Sequence, residues 1–477
     1  MIKLQRVEVG PERGSRESKV SALDKLAEIV RRRRLDKEVA KDFGLFEREL
    51  HAQVMEVERE ILGEEMARAD VDLEAIEVNG VVYRKSVRSS DEYFTAAGPV
   101  RVERTLYRDR TTDSPLSLSP MELRLGIVEG RWTPHAANLA TWVVSQMTPG
   151  ASEELFKRMG NMTPSKSTLD RLPKQLLGWA EDDRVAFEAA LMKEELVPKD
   201  ARTVSVSLDG VMAPMNDTDK CEVRAEAVAA GKLTKGPAGY REVGVGTLTM
   251  YDAAGEVLRV VRLGRMPEFK KETLKTMLQA ELAHVLRQRP ALKLVKVADG
   301  AKDNWEFLTT ALPAGLEVLD FYHAAEYLSA AYGAAYGDGS VKARRQFELK
   351  RHILRHEVDG VDVVIRSLAY LAGKHPRSSH IRKALGYFRD NRTRMNYAEL
   401  AAQNLPIGSG IVEAACKTLV AQRLKLSGMR WGAEGSQAIL NLRAWHQSDR
   451  FDKAWALIAA QYKAEVTTLA NVIALQP

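Results

Sequence analysis

At 477 residues, 45% hydrophobic and 29% charged, the chain has the composition of a globular protein of two to four domains and not of a disordered one. No stretch nears the roughly 18 uncharged apolar residues of a membrane span, and the opening MIKLQRVEVGPERGSRESKV holds no apolar signal core, so a cytoplasmic protein with no membrane partner is expected. The net charge of 71 − 65 = +6 is modest, and the two cysteines, Cys221 and Cys416, form no CxxC pair, which argues against a zinc ribbon or a disulfide framework.

The predicted elements begin with helix. Over residues 20–70, Leu23, Leu26, Ile29 and Val30 recur at helical spacing, Arg31 to Arg34 form an unbroken basic row, and Leu45 to Met66 continues the helical pattern. Residues 76–108 switch to a period of two, in Ile76-Glu-Val78, Val81-Val82-Tyr83 and Val100-Arg-Val102, with Asn79-Gly80 as a hairpin turn. This predicts a small β region packed apart from the core. Between Met147 and Leu176 the sequence reads as a helix from Ser152 to Met159, a turn at Gly160-Asn161, and a second helix after Thr163-Pro164. Lys166, Ser167, Arg171 and Lys174 would line that second helix as in a helix-turn-helix DNA reader; a plain helical hairpin satisfies the same pattern.

From Arg202 the period of two returns. TVSVSLDGV alternates Val204, Val206 and Leu208, and Tyr240 to Leu263 holds two more strands. A helix over Lys270 to Arg289, the strand LKLVKVADG, and the strand LEVLD follow, the last running into a helix near Tyr322. A largely helical block fills 324–403. Three strands followed by alternating helix and strand indicate an α/β fold with a mixed sheet. A doubly wound nucleotide-binding fold is the competing topology, but no GxGxxG or GxxxxGK[ST] follows any strand. The expected organisation is an N-terminal helical region (1–75), a small β region (76–130), a helical, helix-turn-helix-like region (131–200), core strands (201–323), the helical block (324–403) and C-terminal core helices (404–477).

Two acids share one kind of position. Asp209 closes its strand in SLDGV, Asp299 closes another in KVADG, and each precedes a Gly that lets the chain turn. The carboxyl edge of an open α/β sheet is where such sheets carry their sites, and paired carboxylates there suit hard cations such as Mg2+. A lone Asp-Gly after a strand is usually only a turn. A third acid, Glu413, lies in LPIGSGIVEAACKTLVAQRLKLSGMRWG, in the first turn of a helix that resumes after Gly410, where the helix dipole favours a carboxylate. A plain salt bridge is the simpler reading of it. As a set, the three are spaced by 299 − 209 = 90 and 413 − 299 = 114. Cys416, one turn on, reads as a small buried apolar residue.

Positive charge is concentrated. From Lys342 to Arg394 fourteen Lys/Arg face five Asp/Glu, a local +9 that leaves 6 − 9 = −3 for the rest of the chain. Lys417, Arg423, Lys425 and Arg430 follow with no acid between them. Such runs suit a polyanion, because neutralising phosphates releases counterions; solvated helix faces are the alternative. Trp431 would stack an unpaired base or pack in the core. His352 and His356 lie four apart, but without HExxH they belong to a basic helix and not to a zinc site.

SLDGV, VADGA, LDFYHAAEYL and PIGSGIVEAACKTLVAQRLKLSGMRW together resemble the motifs of DDE transposases of bacterial insertion sequences, specifically the Kra-type group, over roughly Ser205 to Trp445. The resemblance implies an RNase H-like core with a helical insertion between its last strand and the Glu-bearing helix. It also implies a catalytic, metal-holding triad at Asp209, Asp299 and Glu413, with Asp320 and His323 of DFYH nearby. Two Mg2+ (or Mn2+) ions per site would be the cofactors, and double-stranded DNA, as terminal repeats and target, the partner of a homodimer or higher oligomer. Relatives often carry a cysteine-rich segment before the helix-turn-helix; this chain has no cysteines there. Another RNase H-like nuclease, such as a junction resolvase, and a non-catalytic DNA-binding descendant of a transposase are the alternatives.

Overall fold

Runs of alternating apolar and polar residues build two separate five-stranded sheets. The structure, a computed structural model, describes residues 21–35, 40–109, 117–216, 218–231 and 239–469. Its chain falls into two units: Met1–Leu139 with Glu153–Ser165 and Gln461–Pro477, and Ala140–Ser152 with Lys166–Ala460.

In the first unit the helix Phe43–Ala69 starts at Asp42, whose carboxylate accepts the Leu45 amide at 2.9 Å. An antiparallel meander follows: β1 (Ala75–Val78), β2 (Val81–Thr95), β3 (Gly98–Arg108) and β4 (Ser117–Leu118). Asn79 and Gly80, at φ 52° and 78°, form the turn between β1 and β2, a conformation those two residue types adopt most readily. Far along the chain, Val466–Thr468 pairs with the free edge of β1, Ile76 lying opposite Thr468. Met66, Tyr93, Val100, Val102, Met121 and Ile127 form a core beneath this sheet.

The second unit is a mixed α/β structure. Its strands are β5 (Thr203–Pro214), β6 (Tyr240–Tyr251), β7 (Val257–Arg265), β8 (Lys293–Ala298) and β9 (Leu316–Leu319), ordered β7-β6-β5-β8-β9. β5, β6 and β7 are antiparallel, whereas β8 and β9 extend the sheet in parallel with β5. A helix, Thr218–Ala229, stands between β5 and β6, where the sequence pattern predicts none. The helix Glu272–Gln288 buries Leu274, Leu278, Leu282 and Val285, one face at helical spacing. It approaches β6 closely because Gly246 has no side chain: a Cβ there would lie 2.9 Å from Leu278. The predicted helical block holds four longer helices, Phe321–Tyr336, Val341–His356, Gly360–Lys374 and Ser379–Asp390, and a short one, Tyr397–Ala402, packed on the second of them. Asp320, Ser340 and Ser378 cap three of them by accepting a backbone amide.

The pair of helices read as a possible DNA reader exists, as Pro149–Met159 and Lys166–Asp182. The division between units falls inside the first of them, after Ser152, so the pair is not contained in one unit. No helix among the described residues is long and apolar enough to cross a membrane.

Candidate active site

Strand register places the acids. β5 pairs with β8 from Thr203↔Lys293 to Ser207↔Val297, a constant offset of 297 − 207 = 90. Carried two residues on, that offset sets Asp209 level with Asp299, since 209 + 90 = 299. β8 pairs with β9 from Val295↔Leu316 to Ala298↔Leu319, an offset of 319 − 298 = 21, and 299 + 21 = 320. By these offsets Asp209, inside β5, lies level with Asp299 and Asp320, the residues that follow β8 and β9; β5 itself runs on to Pro214, paired with β6 throughout, so Asp209 does not close its strand as the sequence suggests. Asp209 and Asp299 are partly exposed, whereas Asp320 is fully buried.

The segment bearing Glu413 ties into both ends of this row. Ile407 accepts the Phe321 amide at 3.0 Å, and the Ser409 amide donates to Asp320 Oδ2 in a short hydrogen bond. Helix then runs over Gly410–Ala415 and widens to π geometry at Cys416–Ala421. The Cys416 thiol donates to Asp209 Oδ2 at 3.6 Å. From Ser409 to Cys416 is 416 − 409 = 7 residues, about 10 Å of helix at ~1.5 Å each. Two inter-strand gaps of ~4.8 Å, from β9 to β5, span nearly the same distance. The helix is thus long enough to cross from Asp320 to Asp209, with Glu413 between, on the face it shares with Ser409 and Cys416. π turns of this kind are frequent at functional sites.

Each carboxylate is satisfied by close donors. Asp209 Oδ1 accepts the Gly210 amide at 2.7 Å. Asp299 Oδ1 accepts the Ala301 amide at 3.1 Å and the Asn304 side-chain amide at 3.3 Å; Asn304 also reaches the Leu208 carbonyl at 3.5 Å, linking the two strand ends. Glu413 Oε1 accepts the Ser409 hydroxyl at 2.9 Å and lies 3.8 Å from His323 Nε2. Asp320 Oδ1 accepts the His323 amide at 2.8 Å, so Asp320 and His323 both bear on the Glu413 segment. Among the described residues no three His, Cys, Asp or Glu side chains gather as a metal site. Burial, with Asp209 and then Glu413 adding negative charge, pushes the Cys416 thiol well above its ordinary pKa. Burial likewise raises the Tyr387 phenol, with Tyr327, Asp299 and Asp320 contributing. That phenol stacks on Tyr327 at 3.9 Å between centroids, and its Oη has no partner among the described residues.

Beside the row, Glu242 lies over Gly210, which has no Cβ to obstruct it, and pairs with Lys271 Nζ at 3.0 Å. Lys270 and Lys271 take φ of 49° and 56°, the left-handed conformation that non-glycine residues rarely adopt and that clusters at working sites.

The basic candidates divide. Lys166, Arg171, Lys174, Lys417, Lys425 and Arg430 are exposed. Lys166, Lys174, Arg423, Arg430 and Trp431 line one cavity of about 290 Å3, whereas Arg171, Lys417 and Lys425 lie outside it. Arg423 is not the surface cation its basic run suggests: it is 1% exposed, its Nη2 donating to the Val144 carbonyl at 3.3 Å and its guanidinium 5.1 Å from the Trp431 ring. It sits in the short helix Gln422–Leu424 that follows the widened segment, buried like Leu419, Val420 and Leu424, which a linear charge count does not register. Trp431 is half-buried, its indole N–H donating to the Leu424 carbonyl at 3.0 Å.

Asn304, Ser409, Tyr387 and Lys271 are site residues that sequence patterns alone did not single out. Ser409 had a signal, its i,i+4 spacing to Glu413; the others reach the row only through the fold. No protein-family model matches the chain, and no curated protein matches it.

Proposed function

We propose that the chain is a DNA transposase that cleaves DNA at the ends of an insertion sequence and joins those ends to a target by phosphoryl transfer. The observation that carries this reading is the register of the neighbouring parallel strands β5 and β8, whose offset sets Asp209 level with Asp299, with the Glu413 helix long enough to cross between them. A sheet of three antiparallel strands extended by two parallel ones is compatible with the RNase H-like core the sequence resemblance implies.

The donor chemistry suits a hard divalent cation: Asp209 and Asp299, partly exposed, and Glu413, exposed, offer carboxylate oxygens. Asp209, Asp299 and Glu413 would hold Mg2+ or Mn2+, and two such ions supply Lewis acidity and charge neutralisation for in-line displacement at phosphorus. The chain's own residues orient these ligands. Asn304 holds the Asp299 carboxylate, Cys416 that of Asp209, and Ser409 with His323 that of Glu413. Asp320 acts through the backbone, fixing the entry to the Glu413 helix. The nucleophile is water in cleavage and a DNA 3′-hydroxyl in joining. Exposed cations of the helical block, including Lys342, Arg344 and Arg345, would hold the duplex by its phosphates. Because two DNA ends must be joined, a homodimer on DNA is the natural assembly.

The test incubates the purified chain with Mg2+ and DNA carrying its own element's ends. Expected are nicks at those ends and joined products with target DNA; Asp209→Asn, Asp299→Asn and Glu413→Gln retain DNA binding and lose both reactions. Full activity in any of the three, or cleavage undiminished by chelator, overturns the proposal.

A further inference from the structure

The cavity beside Trp431 has a chemistry that the carboxylate row does not use. Its volume is about 290 Å3, at the small end of the range of ligand pockets and too little for a length of duplex. Arg423 lies in its wall, 1% exposed, and two of its nitrogens, Nε and Nη1, have no hydrogen-bond partner among the described residues. A buried N–H left unmet is costly, so an acceptor arriving through the cavity has much to satisfy. Burial, and Arg443 nearby, lower the Arg423 pKa to about 10, which leaves it cationic at neutral pH. Lys166, Lys174 and Arg430 add three exposed cations, against one lining carboxylate, Asp170, which Lys174 pairs at 2.5 Å. The remaining wall is apolar, with Val144, Pro173, Met429 and Ile439 beside the indole of Trp431. An inorganic anion would leave that wall uncovered; a ligand with an anionic head and a flat, apolar body would cover it.

We propose that this cavity binds one nucleoside monophosphate unit, its phosphate accepted by Arg423, Lys166 and Arg430 and its base laid against Trp431 and the apolar wall. The unit is either a free mononucleotide or a single residue of an unpaired DNA strand; the second source rests on the DNA-processing reading above, the first does not.

Calorimetric titration of the full chain in EDTA keeps divalent cations away from the carboxylates, so the outcome is independent of any cleavage activity. The probes are deoxyadenosine monophosphate, inorganic phosphate and a single-stranded octanucleotide. Expected is binding of the mononucleotide or the octanucleotide, with phosphate alone at least tenfold weaker and Arg423→Met weakening the bound probe at least tenfold. Arg423→Met should melt no lower than wild type, because it removes a buried cation with unmet N–H groups; a merely structural arginine would give a lower melting temperature and unchanged affinity. Should Arg423→Met fail to fold, the exposed pair Lys166→Ala with Arg430→Ala carries the same tenfold expectation. Binding of neither nucleotide probe, or unchanged affinity in the folded variants, overturns the proposal.

Discussion

Asp320→Asn is the sharpest probe of how the Glu413 helix is held. Asp320 is 0% exposed and accepts two amides, His323 through Oδ1 at 2.8 Å and Ser409 through Oδ2. Asparagine keeps one acceptor oxygen and sets an NH2 group against the other amide, so one charge-assisted bond is lost and a buried N–H faces a donor. A hydrogen bond to a charged group contributes about 1.5–3 kcal/mol, and an unmet buried donor costs about 1–3 kcal/mol. Since these overlap, a local penalty of about 2–4 kcal/mol is expected. At ~1.36 kcal/mol per decade, the amides of residues 405–416 should exchange with deuterium about 30- to 900-fold faster. Hydrogen-exchange mass spectrometry on peptides from that segment reads this directly. Acceleration below about threefold would show that Asp320 does not anchor the helix, and the case for a positioned Glu413 would lose its support at that end.

Three further outcomes follow from the geometry. Arg450 lies 3% exposed between Glu281, at 2.5 Å, and Glu195, at 2.6 Å, so Glu281→Ala, which strands a buried cation, should destabilise the second unit by about 3–5 kcal/mol in denaturant unfolding, whereas a loss under ~1 kcal/mol would refute a buried ion cluster. Burial raises the Glu195 pKa, but Arg450 and then Arg259 outweigh it, and the net shift is downward from 4.5; its contribution is present above the unfolded value of about 4.5 and is lost as pH falls through the lower folded value, so melting temperature should fall below about pH 4.5 in wild type and change less steeply there in Glu195→Gln. Gly300→Ala would put a Cβ 2.3 Å from the Tyr387 ring, which stacking on Tyr327 prevents from swinging aside, so a loss of about 1–3 kcal/mol is expected, and a neutral variant would mean the Asp299 turn is loosely packed.

The sheet was legible because its strands alternate cleanly, as at Val204, Val206 and Leu208, but the Asp209-Gly210 pair reads as a strand end where β5 in fact runs on to Pro214, because pairing with β6 carries it past the glycine. The spacing of 90 between Asp209 and Asp299 could be counted from the chain, but that it equals the β5–β8 register is a property of pairing, which no local pattern encodes. Asp320 shows the same limit: its proximity to the site was implied only by resemblance, while its place in the row comes from the second offset. Arg423 misled because charge is counted along the chain and burial is decided around the helix. Helix Thr218–Ala229 has weak amphipathicity between two strong strands, so no periodic signal announced it. Tyr387 comes from the helical block, 387 − 299 = 88 residues beyond the aspartate it adjoins, and only packing brings it there.

The pairing of Val466–Thr468 with β1 bears on how this protein is made. On the ribosome, β1 emerges 468 − 76 = 392 residues before the strand that covers its outer edge. Until then Ile76 and Val78 lie on an edge strand, a template for any passing extended chain. A nascent or truncated product ending before Val466 should therefore be the aggregation-prone species, and sealing the first unit would be a late event in biosynthesis, set by translation time.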